Sequence, residues 1–197
     1  MANSNFMPKE LSWLSFNGRV LQEAADPSVP LIERVRFLGI YSNNQDEFFK
    51  VRVAELKRQI IINNESGKNE DNVNLLRQVQ KEAAKYQMTL NEIYHSLIAE
   101  LALHQIFLRN PQEINENQKE WVKTYFKRHV LKHINPVIID EDTDLLAFLK
   151  DQFTYLFVKM SGATANHYSL LEIPTEQLPR FIRMPSDDNT VTLMWLD

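Results

Sequence analysis

Histidine is the residue type in this chain best suited to acid–base or phosphoryl-transfer chemistry at neutral pH. Two of them, His129 and His133, stand four residues apart on a predicted helix, which is a spacing that two metal ligands would use. No glutamate lies between them, and cationic side chains suit the end of that helix, so a surface role is favoured. We predict no catalytic or metal-binding residue among the five histidines, which are His95, His104, His129, His133 and His167.

Two charged clusters are the next candidates for ligand binding. Glu141, Asp142 and Asp144 follow a predicted strand and could hold a cation. A solvated turn whose Asp and Thr side chains cap a helix from Leu145 is the favoured interpretation. A basic set is spread around an earlier helix, where a solvated face is favoured over an anion-contacting one; its members are Lys50, Arg52, Lys57 and Arg58.

Asn43 and Asn44 follow a predicted helix end at Gly39 and form the most informative polar pair in the chain. Ser42, Asn43 or Asn44 can each cap the next helix, because a short polar side chain satisfies the free backbone N–H groups there. The alternative is a ledge for a planar ring, in which an asparagine amide reads the edge of a base beside Phe37 and Leu38. From the residues alone, the capping role is favoured.

The composition is that of a soluble globular protein, with 197 residues, 44% hydrophobic and 24% charged. This length allows two small domains, each with a core of its own. The net charge is −4 and there is no block of like charge, so there is no global electrostatic case for binding nucleic acid or an anionic membrane. Any polyanion must therefore be bound locally.

Several classes of protein are excluded by what the sequence lacks. With no cysteine, it has no disulfide, redox thiol or thiolate metal site. Its four glycines are too far apart to form a P-loop or a dinucleotide-binding motif. No amino-terminal targeting signal and no apolar run of roughly 18 residues is present, so we expect a cytoplasmic protein.

Apolar spacing predicts helices in the first half of the chain. From Leu76 to Leu101, apolar residues recur every three or four positions, which predicts a long coiled-coil-like helix. The preceding apolar stretch ends in a polar turn at residues 63–67, so the two helices form a predicted hairpin. Two earlier helices are predicted, one over residues 13–25 and one beginning near Pro30.

Strands are predicted in the second half, after one more helix over about residues 116–134. Four short β-branched or aromatic runs carry the pattern, at residues 137–139, 155–160, 168–173 and 191–196. We therefore predict an α+β fold, with an all-helical domain over residues 1–105 and a smaller α+β domain over residues 106–197. The last run stops at Asp197 without a turn or a polar tail, which predicts that the second domain is truncated.

Long ungapped stretches of the sequence resemble the amino-terminal part of the bacterial polyphosphate kinases of the first type. The resemblance is carried by residues 10–17, 19–26 and 37–52, which read ELSWLSFN, RVLQEAAD and FLGIYSNNQDEFFKVR. It continues through Asp142-Thr143-Asp144-Leu145 and Leu171-Glu172-Ile173-Pro174 and covers essentially the whole chain. In that family a helical N domain precedes an α+β head domain, which matches the predicted boundary near residue 106.

The resemblance implies a reaction. Family members transfer the terminal phosphate of ATP reversibly to polyphosphate through a phosphorylated histidine, with magnesium. The phosphorylated histidine and the phosphate-binding arginines belong to two carboxyl-terminal domains outside this chain. We therefore expect the chain alone to be inactive and to hold neither ATP nor Mg²⁺ tightly.

The resemblance also implies binding residues and partners. The adenine is expected to lie against Asn44, Phe37 and Leu38, and the head domain is expected to form a homodimer. ATP, ADP and inorganic polyphosphate are the implied partners, with peripheral membrane association of the longer protein a possibility and no nucleic acid expected. The alternative function is a non-enzymatic module that only assembles with partner proteins.

Gly18 departs from the family pattern, which often has a carboxylate at this position. Because Gly18 stands three residues after Ser15, a carboxylate there would complete a capping box at the start of the first helix. The sequence therefore predicts a weakly held helix start and stabilisation by Gly18→Glu.

Overall fold

Helices form the first half of the chain and short strands occupy much of the second, which is the predicted α+β class. The computed structural model describes residues 7–63, 69–151, 153–162, 166–186 and 189–196. The chain divides into two compact units, residues 1–103 and residues 104–197.

The described part of the first unit is helical throughout. Its elements are α1 (Lys9–Ala25), α2 (Leu31–Phe48), a π-helical turn (Phe49–Val53), α3 (Ala54–Asn63) and α4 (Glu70–Leu103). α4 confirms the predicted long helix, and its buried residues follow the predicted spacing: Val79, Ala83, Ile93 and Leu97. The predicted hairpin turn at residues 63–67 lies largely outside the described residues, but Asn69 beyond it donates a hydrogen bond to the carbonyl of Ile60 on α3. None of the described helices combines the length and the apolar character that crossing a bilayer requires.

Two apolar clusters hold the helices together. The first contains Leu21, Ala24, Leu38, Tyr41, Ile93 and Leu97, and the second contains Leu14, Phe48, Val53, Val79 and Ala83. Tyr86 on α4 packs against both clusters. Burial of each large apolar side chain contributes roughly 1.5–3 kcal/mol, so these clusters fix the positions of α1, α2 and α4.

α2 passes through Gly39 without a break, so the predicted helix end at this residue is wrong. A glycine in a helix interior costs about 1 kcal/mol relative to alanine. Burial of its neighbours Leu38 and Tyr41 in the first cluster outweighs that cost. Since the helix continues, Asn44 does not lie at a helix start, and its predicted capping role is also wrong.

Gly18 lies in the middle of α1, which begins at Lys9 directly after Pro8. The predicted capping box at Ser15 is therefore wrong. Gly18 is buried, and a Cβ atom added to it would lie 2.4 Å from Cε1 of Tyr86. Gly18 is thus a packing residue that lets the Tyr86 ring approach the backbone of α1.

The second unit contains two three-stranded sheets. Its strands are β1 (Ile106–Leu108), β2 (Val137–Ile139), β3 (Tyr155–Ser161), β4 (Asn166–Glu172), β5 (Phe181–Met184) and β6 (Val191–Trp195). One sheet has the order β1-β6-β5, with β1 parallel and β5 antiparallel to β6; the other is the antiparallel sheet β2-β4-β3. All four predicted strands are present. The sequence does not predict β1 and β5, which are only 3 and 4 residues long.

One continuous helical run precedes β2, as predicted. α5 (Glu116–Tyr125) is followed by a π-helical turn (Phe126–Val130) and a 3-10 turn (Leu131–His133). Its start is fixed by a capping box between Asn115 and Gln118. The short helix α6 (Leu145–Phe148) follows β2.

Candidate functional site

The predicted adenine-contacting residues all lie on α2, within one continuous helix. Phe37 and Asn44 are seven residues apart, so they share one side of the helix and are separated by roughly 10 Å along its axis. Leu38 is rotated roughly 100° from Phe37 and is 9% exposed inside the first apolar cluster. Phe37 and Asn44 therefore lie on one face of α2, whereas the side chain of Leu38 is buried in the core.

Asn44 is held by a cluster of amide side chains between α1 and α2, which we call the amide cluster: Asn17, Asn44 and Gln45. Nδ2 of Asn44 donates a hydrogen bond to Oδ1 of Asn17 at 3.0 Å. Asn17 is only 1% exposed, and its own Nδ2 donates to the Tyr41 carbonyl at 3.3 Å and to Oε1 of Gln45 at 3.4 Å. The orientation of the Asn44 carboxamide is thus set by the packing of α1 against α2.

The oriented carboxamide of Asn44 keeps hydrogen-bonding capacity toward a ligand. An asparagine amide offers two N–H donors and an acceptor oxygen. Within the part of the chain that the structure describes, its one hydrogen bond uses a single donor. The remaining donor and Oδ1 match the N7 acceptor and the N6 amino group of adenine. Half-buried Phe37 on the same face offers apolar contact to a ring.

Tyr41, one turn before Gln45, is a neutral and structural residue. It is 1% exposed, and its hydroxyl has no hydrogen-bond partner among the described residues. Burial, with a smaller contribution from Tyr86, raises the pKa of Tyr41 to about 12. The phenol therefore remains protonated at neutral pH and is not suited to act as a base.

A groove of about 590 Å³ lies between α2 and α4, and its lining includes Tyr41 and Gln45. Ser42, Asp46 and Phe49 form part of its wall on one side, and Gln80 and Gln87 on the other. Sequence reasoning does not find this groove, because its two walls are distant in the chain and meet only through helix packing.

The acidic turn after β2 caps a helix, as predicted. The Asp144 side chain accepts hydrogen bonds from the backbone N–H groups of Leu146 and Ala147. The Thr143 hydroxyl donates to Oδ1 of Asp140 at 2.6 Å. Across the described ranges, no three His, Asp or Glu side chains are grouped to hold a metal ion. These residues do not fit a Mg²⁺ site, so no step of a reaction is assigned to a metal bound by them.

Of the two histidines with metal-ligand spacing, His129 lies in a stack of rings. The His129 ring stacks on Tyr125 with centroids 4.9 Å apart, and Tyr125 stacks on Trp121 at 5.1 Å. His129 is exposed, whereas His133 is half-buried in the 3-10 turn. The stack orders the surface of α5.

Comparisons with known proteins match both units. A family model described as the polyphosphate kinase N-terminal domain matches residues 6–109, and one described as the polyphosphate kinase middle domain matches residues 117–197. The polyphosphate kinases of Yersinia pestis and Escherichia coli strain K12 are each 52% identical to this chain over 182 residues, which is 92% of the chain. The crystal structure of polyphosphate kinase from Porphyromonas gingivalis superposes with a TM-score of 0.80 at 26% identity, covering 99% of this chain and 29% of that one.

The fold and these matches define a protein of a kinase family. More specifically, the chain belongs to the polyphosphate kinase family, which confirms the resemblance found in the sequence. It spans about a quarter of the length of the curated relatives it matches, 26% for both the Yersinia pestis and the Escherichia coli proteins.

Proposed function

We propose that this chain forms the adenine-binding and dimerising part of a kinase that transfers the terminal phosphate of ATP reversibly to polyphosphate. The observation that supports this best is the oriented amide of Asn44, which keeps a donor and an acceptor on the side of α2 that it shares with Phe37. Membership in the polyphosphate kinase family supports this pair of substrates.

In this proposal each residue has a distinct role. Asn44 donates to N7 of adenine and accepts from its N6 amino group, and Phe37 contacts the ring. Leu38 acts from the core, because its buried side chain fixes the position of α2. Adenine is remote from the transferred phosphate, so these contacts stabilise the ground state and the transition state alike.

The phosphoryl transfer itself is assigned to residues outside this chain. A histidine nucleophile there divides the transfer into two steps, and Mg²⁺ bound with the substrate supplies positive charge to the moving phosphoryl group. We therefore expect the isolated chain to synthesise no polyphosphate.

Exposed apolar side chains on the sheet β2-β4-β3 support the proposed dimer contact. Phe157 and Leu156 on β3 are 64% and 53% exposed, and Ile138 on β2 is 51% exposed. Phe157 is further held by stacking on Tyr168, with ring centroids 5.5 Å apart. Because side chains alternate along a strand, Phe157 and Tyr168 lie on one face of this sheet and Leu156 and Ile138 lie on the other. A second copy of the chain that covers the face of Phe157 and Tyr168 would remove those two rings from water.

A chimera tests the proposed function. In it, this chain replaces the matching amino-terminal quarter of the Escherichia coli relative. We expect the chimera to incorporate phosphate from labelled ATP into polyphosphate and the isolated chain to incorporate none. Polyphosphate synthesis by the isolated chain, retained through repeated purification, would contradict the proposal.

The same chimera discriminates the scaffold alternative. If the chain only assembles with partner proteins, substitutions at Asn44 leave the ATP dependence of the chimera unchanged. If the chain binds adenine, they raise the KM for ATP.

A further inference from the structure

We propose that a basic surface on α5 and the two helical turns after it binds the polyphosphate chain directly. The surface consists of Lys123, Lys127, Arg128 and Lys132. This inference rests on the proposed function for the identity of the polyanion. It adds a polyphosphate contact far in sequence from the proposed adenine site.

The local charge of this segment is opposite to that of the whole chain. The chain carries a net charge of −4, yet residues 121–139 contain four Lys or Arg residues and neither Asp nor Glu. This is the kind of local concentration of positive charge that an otherwise acidic protein needs to bind a polyanion.

All four cations are exposed, and within the described residues none of them has an ion-pair partner within 4 Å. Helical cations elsewhere in the described chain are commonly paired with an acid one turn away, as in Lys85–Glu82, Arg58–Glu55 and Arg36–Glu33. The nearest acidic residue in the sequence that forms an ion pair is Glu116, which pairs with Lys119 at 2.7 Å. Unlike those cations, the four of the basic surface form no ion pair among the described residues, although Lys123, after Lys119, helps to hold the pKa of Glu116 below its usual value.

Capping of the helix end does not account for the whole set. Positive side chains stabilise the last turn of a helix, and this effect falls off within that turn. The helical run ends at His133, so the effect accounts for Lys132. Lys123 lies more than two turns earlier, and the pairs Lys123/Lys127 and Arg128/Lys132 each place like charges four residues apart, which disfavours the helix unless an anion is present.

The arrangement of the cations favours a flexible polyanion. Lys123 and Lys127 form one row, and Arg128 and Lys132 form a second row further round the helical run. The set extends roughly 13 Å along the axis. A flexible phosphate chain can curve around the helix and contact both rows, whereas a duplex or a flat membrane meets mainly one side.

The apolar residues of the same segment argue against a membrane as the partner. Phe126 and Leu131 are 42% and 52% exposed, but each stands directly beside a lysine of the basic surface. A helix that lies in a membrane interface separates its apolar face from its charged face. In this segment the buried side instead includes Val130, and the accessible side mixes apolar and basic residues.

The test measures binding of end-labelled polyphosphate of one defined length to the 197-residue chain, by fluorescence anisotropy over a range of salt concentrations. The variant replaces all four cations together: Lys123→Gln, Lys127→Gln, Arg128→Gln and Lys132→Gln. Glutamine keeps helix propensity, and far-ultraviolet circular dichroism verifies the fold. A control variant removes the same number of exposed positive charges from the helical unit: Arg19→Gln, Lys57→Gln, Arg77→Gln and Lys81→Gln.

We expect the basic-surface variant to bind at least about tenfold more weakly at low salt and the control variant to remain within about twofold of the unmodified chain. The slope of log affinity against log salt should become shallower by about 2–3, since each single-strand phosphate contact contributes about 0.7.

No binding by the unmodified chain, or equal losses of affinity in both variants, would overturn the proposal. Tighter binding of single-stranded DNA or of phosphatidylserine vesicles, with the same dependence on the four cations, would overturn polyphosphate as the partner. These outcomes are separate from kinase activity of the chimera, because the binding assay involves no phosphoryl transfer.

Discussion

Nδ2 of Asn44 lies 3.0 Å from Oδ1 of Asn17, and this hydrogen bond joins α2 to α1 beside the proposed adenine site. Asn17 is almost fully buried, so its acceptor is satisfied by Asn44 and not by water. One N–H of the Asn44 amide therefore stabilises the fold, and its other N–H and its Oδ1 remain available to a ligand. Substitution of this residue should produce two effects that can be measured separately.

Asn44→Ala in the chimera should raise the KM for ATP about 2- to 10-fold and change kcat little. A neutral hydrogen bond contributes about 0.5–1.5 kcal/mol, and adenine contacts are made equally in the ground state and the transition state. In the isolated chain the same change should lower the free energy of unfolding by about 1–3 kcal/mol, since it leaves buried Oδ1 of Asn17 without its donor.

Asn43→Ala is the matched control, because Asn43 is exposed on the same turn of α2. It should leave both the KM and the stability close to those of the unmodified protein. A normal KM for ATP in Asn44→Ala would show that Asn44 does not contact the nucleotide. Steady-state kinetics and urea denaturation supply the two measurements.

Gly18→Ala should destabilise the chain, by about 1–3 kcal/mol. The added Cβ would lie 2.4 Å from Cε1 of Tyr86, and that ring packs against both apolar clusters, so it has little freedom to move away. Gly18→Glu should be at least as destabilising, which reverses the expectation from the capping pattern. Urea or thermal denaturation measures the change.

Gly39→Ala provides the opposite case within the same helical unit. No atom lies within 4 Å of a Cβ added at Gly39, and the residue is exposed in the interior of α2. Alanine there should stabilise the chain by about 0.5–1 kcal/mol, because it removes the conformational freedom of glycine in the unfolded state. If Gly18→Ala raised stability, as Gly39→Ala is expected to do, the packing role of Gly18 would be wrong.

The structural roles of the two glycines could not be predicted from the sequence, whereas the long helix α4 could. Apolar spacing over α4 is long and regular, so it predicted the helix and its buried residues. Glycine propensity is a weak, local preference, so it predicted a helix end at Gly39 that burial of Leu38 and Tyr41 overrides. The role of Gly18 depends on Tyr86, which is distant in the chain, and no local pattern carries such a contact.

The candidate site, too, could be predicted from the sequence only in part. The residues alone favoured a capping role for the asparagines, and the family resemblance singled out Asn44 with Phe37 and Leu38 for adenine; the helix geometry places Asn44 and Phe37 on one face. They did not separate Leu38 from the other two residues, because its burial follows from packing against residues of α1 and α4. The partner of Asn44 was also not foreseen, since Asn17 lies on a different helix.

Tyr41→Phe should raise the free energy of unfolding at neutral pH by about 1 kcal/mol, because it removes a buried hydroxyl with no hydrogen-bond partner among the described residues. It should also weaken the loss of stability at alkaline pH. The unfolded phenol loses its proton near pH 10, whereas in the folded chain its pKa is raised to about 12. Ionisation therefore favours the unfolded state increasingly between these two values.

Chemical denaturation at about pH 8 and about pH 11 measures this effect for the unmodified chain and for Tyr41→Phe. The unmodified chain should lose more stability between the two conditions. Tyr168→Phe removes a hydroxyl from a side chain that is 37% exposed and serves as the control. An equal alkaline loss in the unmodified chain and in Tyr41→Phe would contradict the prediction.

Phe157→Lys should weaken self-association of the chain about tenfold or more. If a second copy covers the sheet β2-β4-β3, the Phe157 ring, which is 64% exposed in the single chain and held by Tyr168, becomes buried in the contact. Loss of a buried aromatic anchor at an interface typically costs more than about 1 kcal/mol, and about 1.4 kcal/mol is a tenfold change in the dissociation constant. Sedimentation equilibrium over a range of concentrations measures that constant.

Phe16→Lys is the control: it introduces the same charge in place of a ring that is 66% exposed on α1, and it should leave the dissociation constant unchanged. If Phe16→Lys weakens the dimer while Phe157→Lys does not, the helical unit forms the contact and the sheet does not.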